Sequence, residues 1–207
     1  MTLSAAEVDK LKHAPAAENV LPVFLRRWSP RSFTDREVSS LDLRIIFEAA
    51  RWTASSYNEQ PWRFFVGQRG SETYDKIFNS LGEFNQVWAK TAPVLILGVA
   101  KTKFSHNGSD NPVALFDLGA ASITIAYQAA ALGIHTHQMA GFDREKAAKS
   151  FNLPEGFITG SVIALGYQGE PDALPVPAMK DQEVAPRQRK PLSEIVLSAL
   201  DEPAPLD

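Results

Sequence analysis

The sequence predicts one domain of the α/β or α+β class, and three observations predict it. Amphipathic helical stretches alternate with short apolar strands. No segment repeats another. The composition is that of a globular chain, 44% hydrophobic and 22% charged over 207 residues, which excludes disordered and fibrous classes and allows a sizeable core. One domain is expected over residues 1–207, with a helix and lead-in at 1–20 and a proline-rich arm, short helix and tail at 171–207.

Ser4-Ala-Ala-Glu7 has capping-box spacing, and Val8 and Leu11 give the helix behind it an apolar side. The stretch "APAAENVLPVFLRRWSPRSF" mixes proline with aromatics and reads as an ordered, irregular entry segment. A helix starts at Ser39 or Ser40, with Leu41, Ile45, Ile46, Ala49 and Ala50 on one face, and runs out near Trp52-Thr53. "RFFVGQ" is a short strand closed by Gly70. Ser71 caps the next helix, whose Tyr74, Ile77, Phe78 and Leu81 recur at helical spacing until Gly82 ends it. "APVLILGVA" is a continuous apolar run, expected as a central strand covered on both faces.

Residues 103–111 are polar and turn-rich, a loop. Pro112 opens the longest helix, which Gly133 ends. It is apolar on nearly all sides, with Gly119, Ala120, Ala121 and Ser122 at its middle. Such a helix belongs at the centre of the fold or against a second subunit. "IHTHQM" is strand-like, Asp143 caps "REKAAKSF", and "GSVIALGY" is a further buried strand. Residues 171–191 form an arm with little periodicity, "LSEIVLSAL" reads as a last amphipathic helix, and "DEPAPLD" is a loose tail.

The net charge of −3 gives no sign of a nucleic-acid-binding face. The chain has no cysteine, which removes disulfides, thiol nucleophiles and cysteine zinc sites and fits a reducing cytoplasm. Its N-terminus lacks the apolar core of a signal peptide, and "APVLILGVA" is too short to span a bilayer, so a soluble cytoplasmic protein without membrane contact is expected. The dinucleotide, P-loop, hydrolase-elbow and zincin motifs do not occur.

Three stretches could carry chemistry. "RRWSPRSF" brings Arg26, Arg27 and Arg31 within six residues, with Ser29 between them. Guanidinium forks match phosphate oxygens, although a solvated basic turn has the same composition. "APRQRKP" adds Arg187, Arg189 and Lys190 on the arm. Two basic patches in a net acidic chain suggest one shared anion such as a phosphate. The third stretch, "SSYNEQPWRFFV", sets Ser55, Ser56, Asn58 and Gln60 just before an aromatic strand. Buried polar groups are costly unless satisfied, and these offer donors and acceptors to a flat heterocycle or to their own turn. His135 and His137 share one strand face, but with no third ligand in view a metal is not expected. Asp117 reads as a buried, hydrogen-bonded structural group.

Taken in order, "RRWSPRSF", "EAARWTASSYNEQPWRFFV", "APVLIL", "GIHTHQMAGFD", "GSVIALGY" and "RQRKPL" resemble the successive blocks of the FMN-dependent nitroreductase family, over about residues 20 to 197. The resemblance implies an α+β fold with a mainly antiparallel sheet flanked by helices. It also implies a homodimer with the long helix at its interface.

The resemblance further implies FMN as cofactor and NADPH or NADH as donor, with hydride passed through flavin N5 to a nitroaromatic, quinone or similar small acceptor by a ping-pong cycle. No side chain is expected to act covalently. By resemblance, Arg27, Arg187 and Arg189 hold the phosphate and Ser29 lies near the ribityl chain or phosphate. Trp28 touches the cofactor through ring or backbone. Arg31 lies at the flavin N1–C2 edge and tunes its potential. Ser55, Ser56 and Asn58 arrive from the partner, with Tyr57 on the substrate side. Asn85 meets the pyrimidine, and Ala140 and Gly141 offer backbone N–H groups near N5. Two features of some family members, an acidic residue where Ala140 stands and a lysine shortly before the buried strand, are absent here.

Overall fold

The helices begin where a short polar side chain takes a free backbone N–H. Ser4, Ser39, Ser71 and Asp143 accept from Glu7, Asp42, Tyr74 and Lys146. They start α1 (Ala5–Lys12), α3 (Ser40–Arg51), α4 (Glu72–Ser80) and α7 (Arg144–Ser150). All four starts agree with the sequence reading, because a cap is a local signal. The computed structural model describes residues 3–15 and 19–206.

Four strands, β1 (Trp62–Gln68), β2 (Val94–Lys101), β3 (His135–Met139) and β4 (Phe157–Gly166), form one sheet in the order β1-β2-β4-β3, with every neighbour antiparallel. The class is therefore α+β, as the resemblance implied. Side chains alternate across β2. Leu95, Leu97 and Val99 pack with Tyr74 and Ile77 of α4, Ala147 of α7, and Trp88 of α5 (Glu83–Ala89). Val94, Ile96 and Ala100 face α3 and α6 (Ala114–Ala131). Helix α6 can lie this close because β2 and β4 present Gly98 and Gly160 beneath Leu118. A Cβ on Gly160 would stand 2.4 Å from a Leu118 methyl.

Several expectations are corrected. The arm does hold a helix, α8 (Pro177–Val184), opened by proline at its first position. Its missing periodicity reflects burial of only Met179 and Glu183. Two further short helices, α2 (Pro22–Arg26) and α5, went unread because neither has a side-chain cap. "LSEIVLSAL" is not a helix. It is a 3-10 turn at Leu192–Glu194 followed by β5 (Leu197–Ala199), which pairs with β6 (Glu202–Pro203), all of it exposed. Nine residues with no surface to pack on do not sustain a helix.

Helix α3 buries Leu43, Ile46 and Ala50, leaving Leu41 and Ile45 exposed. Nor is α6 buried all round within one chain. Leu115 and Phe116 are 45% and 76% exposed. Among the described residues α6 is also the one helix long and apolar enough to cross a membrane, a length that "APVLILGVA" does not reach. It packs against α3 and the sheet, as a core helix does.

Candidate functional site

The arginine turn is held by its backbone. Helix α2 closes at Arg27, whose N–H reaches Val23 O at 3.0 Å. Pro30 O lies 2.9 Å from His137 Nδ1 on β3. The Glu183 carboxylate of α8 accepts the Arg31 N–H at 3.0 and 3.1 Å and the Ser32 N–H at 3.1 Å. Ser32 Oγ donates to Glu170 O at 2.6 Å, and Ser32 O accepts from Gly169 N–H at 2.9 Å. The backbone of the turn is thus tied to β3, α8 and the segment after β4.

Arg27, Arg187 and Arg189 converge. Arg27 Nη1 donates to Ser29 Oγ at 3.3 Å. Burial lowers the proton affinity of Arg27, and the charge of Arg189 adds to it. Burial does the same to Arg187, helped by Arg27 and Arg189. Among the described residues no carboxylate forms a salt bridge with any of the three. Lys190, read with this patch, pairs instead with Glu194 at 3.4 Å. Arg187 has a second task that sequence reading missed. Its Nη1 donates to Lys12 O at 2.9 Å and Leu25 O at 2.6 Å, tying the ends of α1 and α2 to the arm.

Arg31 stands apart from that trio. Its Nε is buried without a partner among the described residues, and its guanidinium carbon lies 6.0 Å from the Phe84 ring centre. Next to Phe84 on α5, Asn85 Nδ2 donates to Gly141 O at 2.9 Å, and Gly82 N–H reaches the same oxygen at 3.0 Å. Ala140 and Gly141 are both exposed in the bend after β3. A Cβ on Gly141 would stand 2.9 Å from Asn85 Nδ2, so a side chain there would push the Asn85 amide aside. Arg31, Asn85, Ala140 and Gly141 therefore border one neighbourhood.

Trp28 is 5% exposed, with Lys12 Nζ 4.9 Å from its ring centre and the His135 ring centre 6.0 Å away.

The Ser55–Gln60 turn is elsewhere. Tyr57, Asn58 and Gln60 have φ of 52°, 54° and 49°, left-handed values that cost non-glycine residues about 1–3 kcal/mol each and cluster at functional sites. What holds them is a set of hydrogen bonds within the turn, to α6 and to the 103–111 loop. Gln60 N–H donates to Ser55 Oγ at 2.9 Å, and Ser56 N–H to Asp117 Oδ2 at 3.2 Å. Asp117 is thus the buried structural group expected. Glu59 accepts Ser105 N–H at 2.8 Å and Ser105 Oγ at 2.6 Å, latching the turn to the 103–111 loop. Tyr57, 83% exposed, meets Phe104 and His106 of that loop at ring centres 5.6 and 5.5 Å away.

The two halves are not brought together within one chain. The Ser55–Gln60 turn leads into β1 at one edge of the sheet, and the arginine turn hangs on β3 at the other. Three strand spacings, roughly 14 Å, separate these edges. His135 and His137 are engaged with Asp9 Oδ1 and Pro30 O.

The Nitroreductase family model matches residues 25–87 and 73–167. A protein of Archaeoglobus fulgidus named "Putative NADH dehydrogenase/NAD(P)H nitroreductase" is 31% identical over 154 residues, 72% of this chain and 86% of the relative. A solved structure described as "the oxidoreductase containing FMN" superposes with a TM-score of 0.84 at 34% identity, covering 90% of this chain and 95% of that one. Another, "a putative nitroreductase in complex with fmn" from Desulfovibrio desulfuricans, has a TM-score of 0.69 at 26% identity, over 92% of this chain and 100% of that one. With the all-antiparallel sheet and the family model running from the arginine turn through β4, this chain belongs to the Nitroreductase family and is an oxidoreductase.

Proposed function

We propose that the chain is an FMN-dependent oxidoreductase that takes hydride from NADPH or NADH and reduces a small nitroaromatic, quinone or similar acceptor. The observation that carries this reading is the convergence of Arg27, Arg187 and Arg189, none of them paired with a carboxylate among the described residues. Three permanent cations repel one another, and a phosphate dianion with several acceptor oxygens satisfies them together. FMN, when bound, supplies the two-electron chemistry that no side chain here can.

The protein's share is binding, orientation and charge. Arg27, Arg187 and Arg189 grip the phosphate, and Ser29 orients Arg27. Arg31, whose buried Nε has no partner among the described residues, places a cation where the reduced ring carries negative charge. Asn85 and the Ala140–Gly141 bend present amide groups to the ring edge. Ser55, Ser56 and Asn58 come from a second copy of the chain, with Tyr57 beside the acceptor. The separation of the two halves on opposite sheet edges supports a homodimer, as do the exposed Leu115 and Phe116 of α6. A cysteine-free chain using NAD(P)H fits the cytoplasm.

The test is the visible spectrum of the purified protein supplied with FMN, before and after anaerobic NADPH or NADH. Flavin bands that bleach with either donor are expected, and the faster donor is the physiological one. Bands that persist with both donors would leave a flavin-binding module and remove the reductase. Absence of binding would remove the flavin.

A further inference from the structure

Two buried charges behind the arginine turn are not used by the reading above. Lys12 is 5% exposed and Glu183 1%, and side chains of these types are rarely buried unless paired. Lys12 ends α1. Its Nζ donates to Gln182 O at 2.9 Å and Ala185 O at 2.6 Å, at the end of α8 where the helix dipole favours a cation. Glu183 sits in that same last turn, and its carboxylate takes the backbone N–H groups of Arg31 and Ser32.

The two residues act on each other and on Arg31. Burial raises the proton affinity of the Glu183 carboxyl, while the Ser32 and Arg31 N–H groups and the charges of Lys12 and Arg31 pull it down. Burial lowers that of the Lys12 ammonium, Glu183 supports it, and Arg187 and Arg31 oppose it. A cation, an anion and a second cation thus bracket one turn, contributed by α1, α8 and the arginine segment.

We propose that Glu183 and Lys12 are positioning residues for the flavin site: Glu183 fixes Arg31 through its backbone, Lys12 balances Glu183, and the pair sets the net field around the Arg31 guanidinium. This rests on the reading that Arg31 faces the flavin ring. Neither side chain touches the cofactor. Their effect reaches it as the balance between its oxidised form and its reduced form, whose extra negative charge Arg31 meets.

The experiment measures the midpoint potential of FMN bound to the full chain, with FMN affinity alongside, for wild type, Glu183→Gln, Lys12→Met and the double variant. The amide introduced by Glu183→Gln keeps an acceptor oxygen for the two backbone N–H groups and loses the charge. Glu183→Gln is expected to favour the reduced over the oxidised flavin about tenfold, a rise of about 30 mV for a two-electron couple. Lys12→Met is expected to move it the other way by a similar factor, and the double variant to return near wild type. Residues that merely hold the fold would weaken FMN binding in both single variants without opposite shifts. Unchanged potentials, or shifts of one sign, overturn the proposal. Should one single variant not fold, the other decides by the sign of its shift, and an unchanged or opposite shift in it overturns the proposal. A wild-type chain that takes up no FMN overturns the flavin reading and this proposal with it. FMN uptake with no response to either charge removes this proposal alone.

Discussion

At Arg27, Arg187 and Arg189 three cations share one patch, and each single loss has a defined consequence. A charge-assisted hydrogen bond contributes about 1.5–3 kcal/mol. Arg27→Ala and Arg189→Ala should therefore each weaken FMN binding about tenfold or more while the proposed dimer persists, read by flavin fluorescence and sedimentation. Unchanged affinity in both would remove the phosphate assignment. His137 carries a pH dependence. Burial holds its imidazole neutral, lowering its pKa to about 4 from the usual 6.5. A lowered folded-state pKa means that stability is present above pH 6.5 and is lost as pH falls toward 4, by up to about 3 kcal/mol. Urea unfolding at pH 7.5 and pH 5 should show this loss, and His137→Gln should flatten it. An equal slope in that variant would place the proton elsewhere. At this scale the sequence was legible where contacts are made between near neighbours, as in the hydrogen bond of Arg27 to Ser29. Glu183 was illegible because the backbone it holds lies 152 residues away, and Trp28 because burial of a ring is decided by α1 and β3, not by its own neighbours.

Among the elements, β1 and α4 meet at Gly67. A Cβ there would stand 2.4 Å from Tyr74 N and 2.5 Å from Tyr74 Cα, backbone atoms that cannot rotate away. Gly67→Ala should cost about 2 kcal/mol or more, since overpacking forces the helix off the strand. Urea titration checks this, and a cost under half that would mean α4 shifts freely. The strands and the capped helices could be read from sequence, because alternation, apolar runs and hydroxyl caps are local signals. The arm could not. Helix α8 buries only Met179 and Glu183, too few for a period, and the apolar residues of 192–200 find no surface in the chain.

For the whole molecule, the sheet sets the question. It carries the strained Ser55–Gln60 turn at one edge and the arginine turn at the other, so the proposed site closes only when a second copy brings its turn alongside. Phe116, 76% exposed on α6, lies on the face proposed for that contact. Phe116→Glu should give a folded monomer that retains FMN at least tenfold more weakly, by light scattering and flavin titration. A dimer with normal affinity would move the interface elsewhere. Sequence alone suggested this arrangement only by resemblance, since no local pattern tells a core helix from one shared between subunits.

The flavin site stands most directly on the phosphate. The decisive measurement is the affinity of the chain for FMN set against riboflavin, which has the same ring and no phosphate. Converging arginines predict FMN binding tighter by about a hundredfold or more, in keeping with two or more charge-assisted contacts. Equal affinities would contradict this, leaving the arginines with no part in holding a flavin.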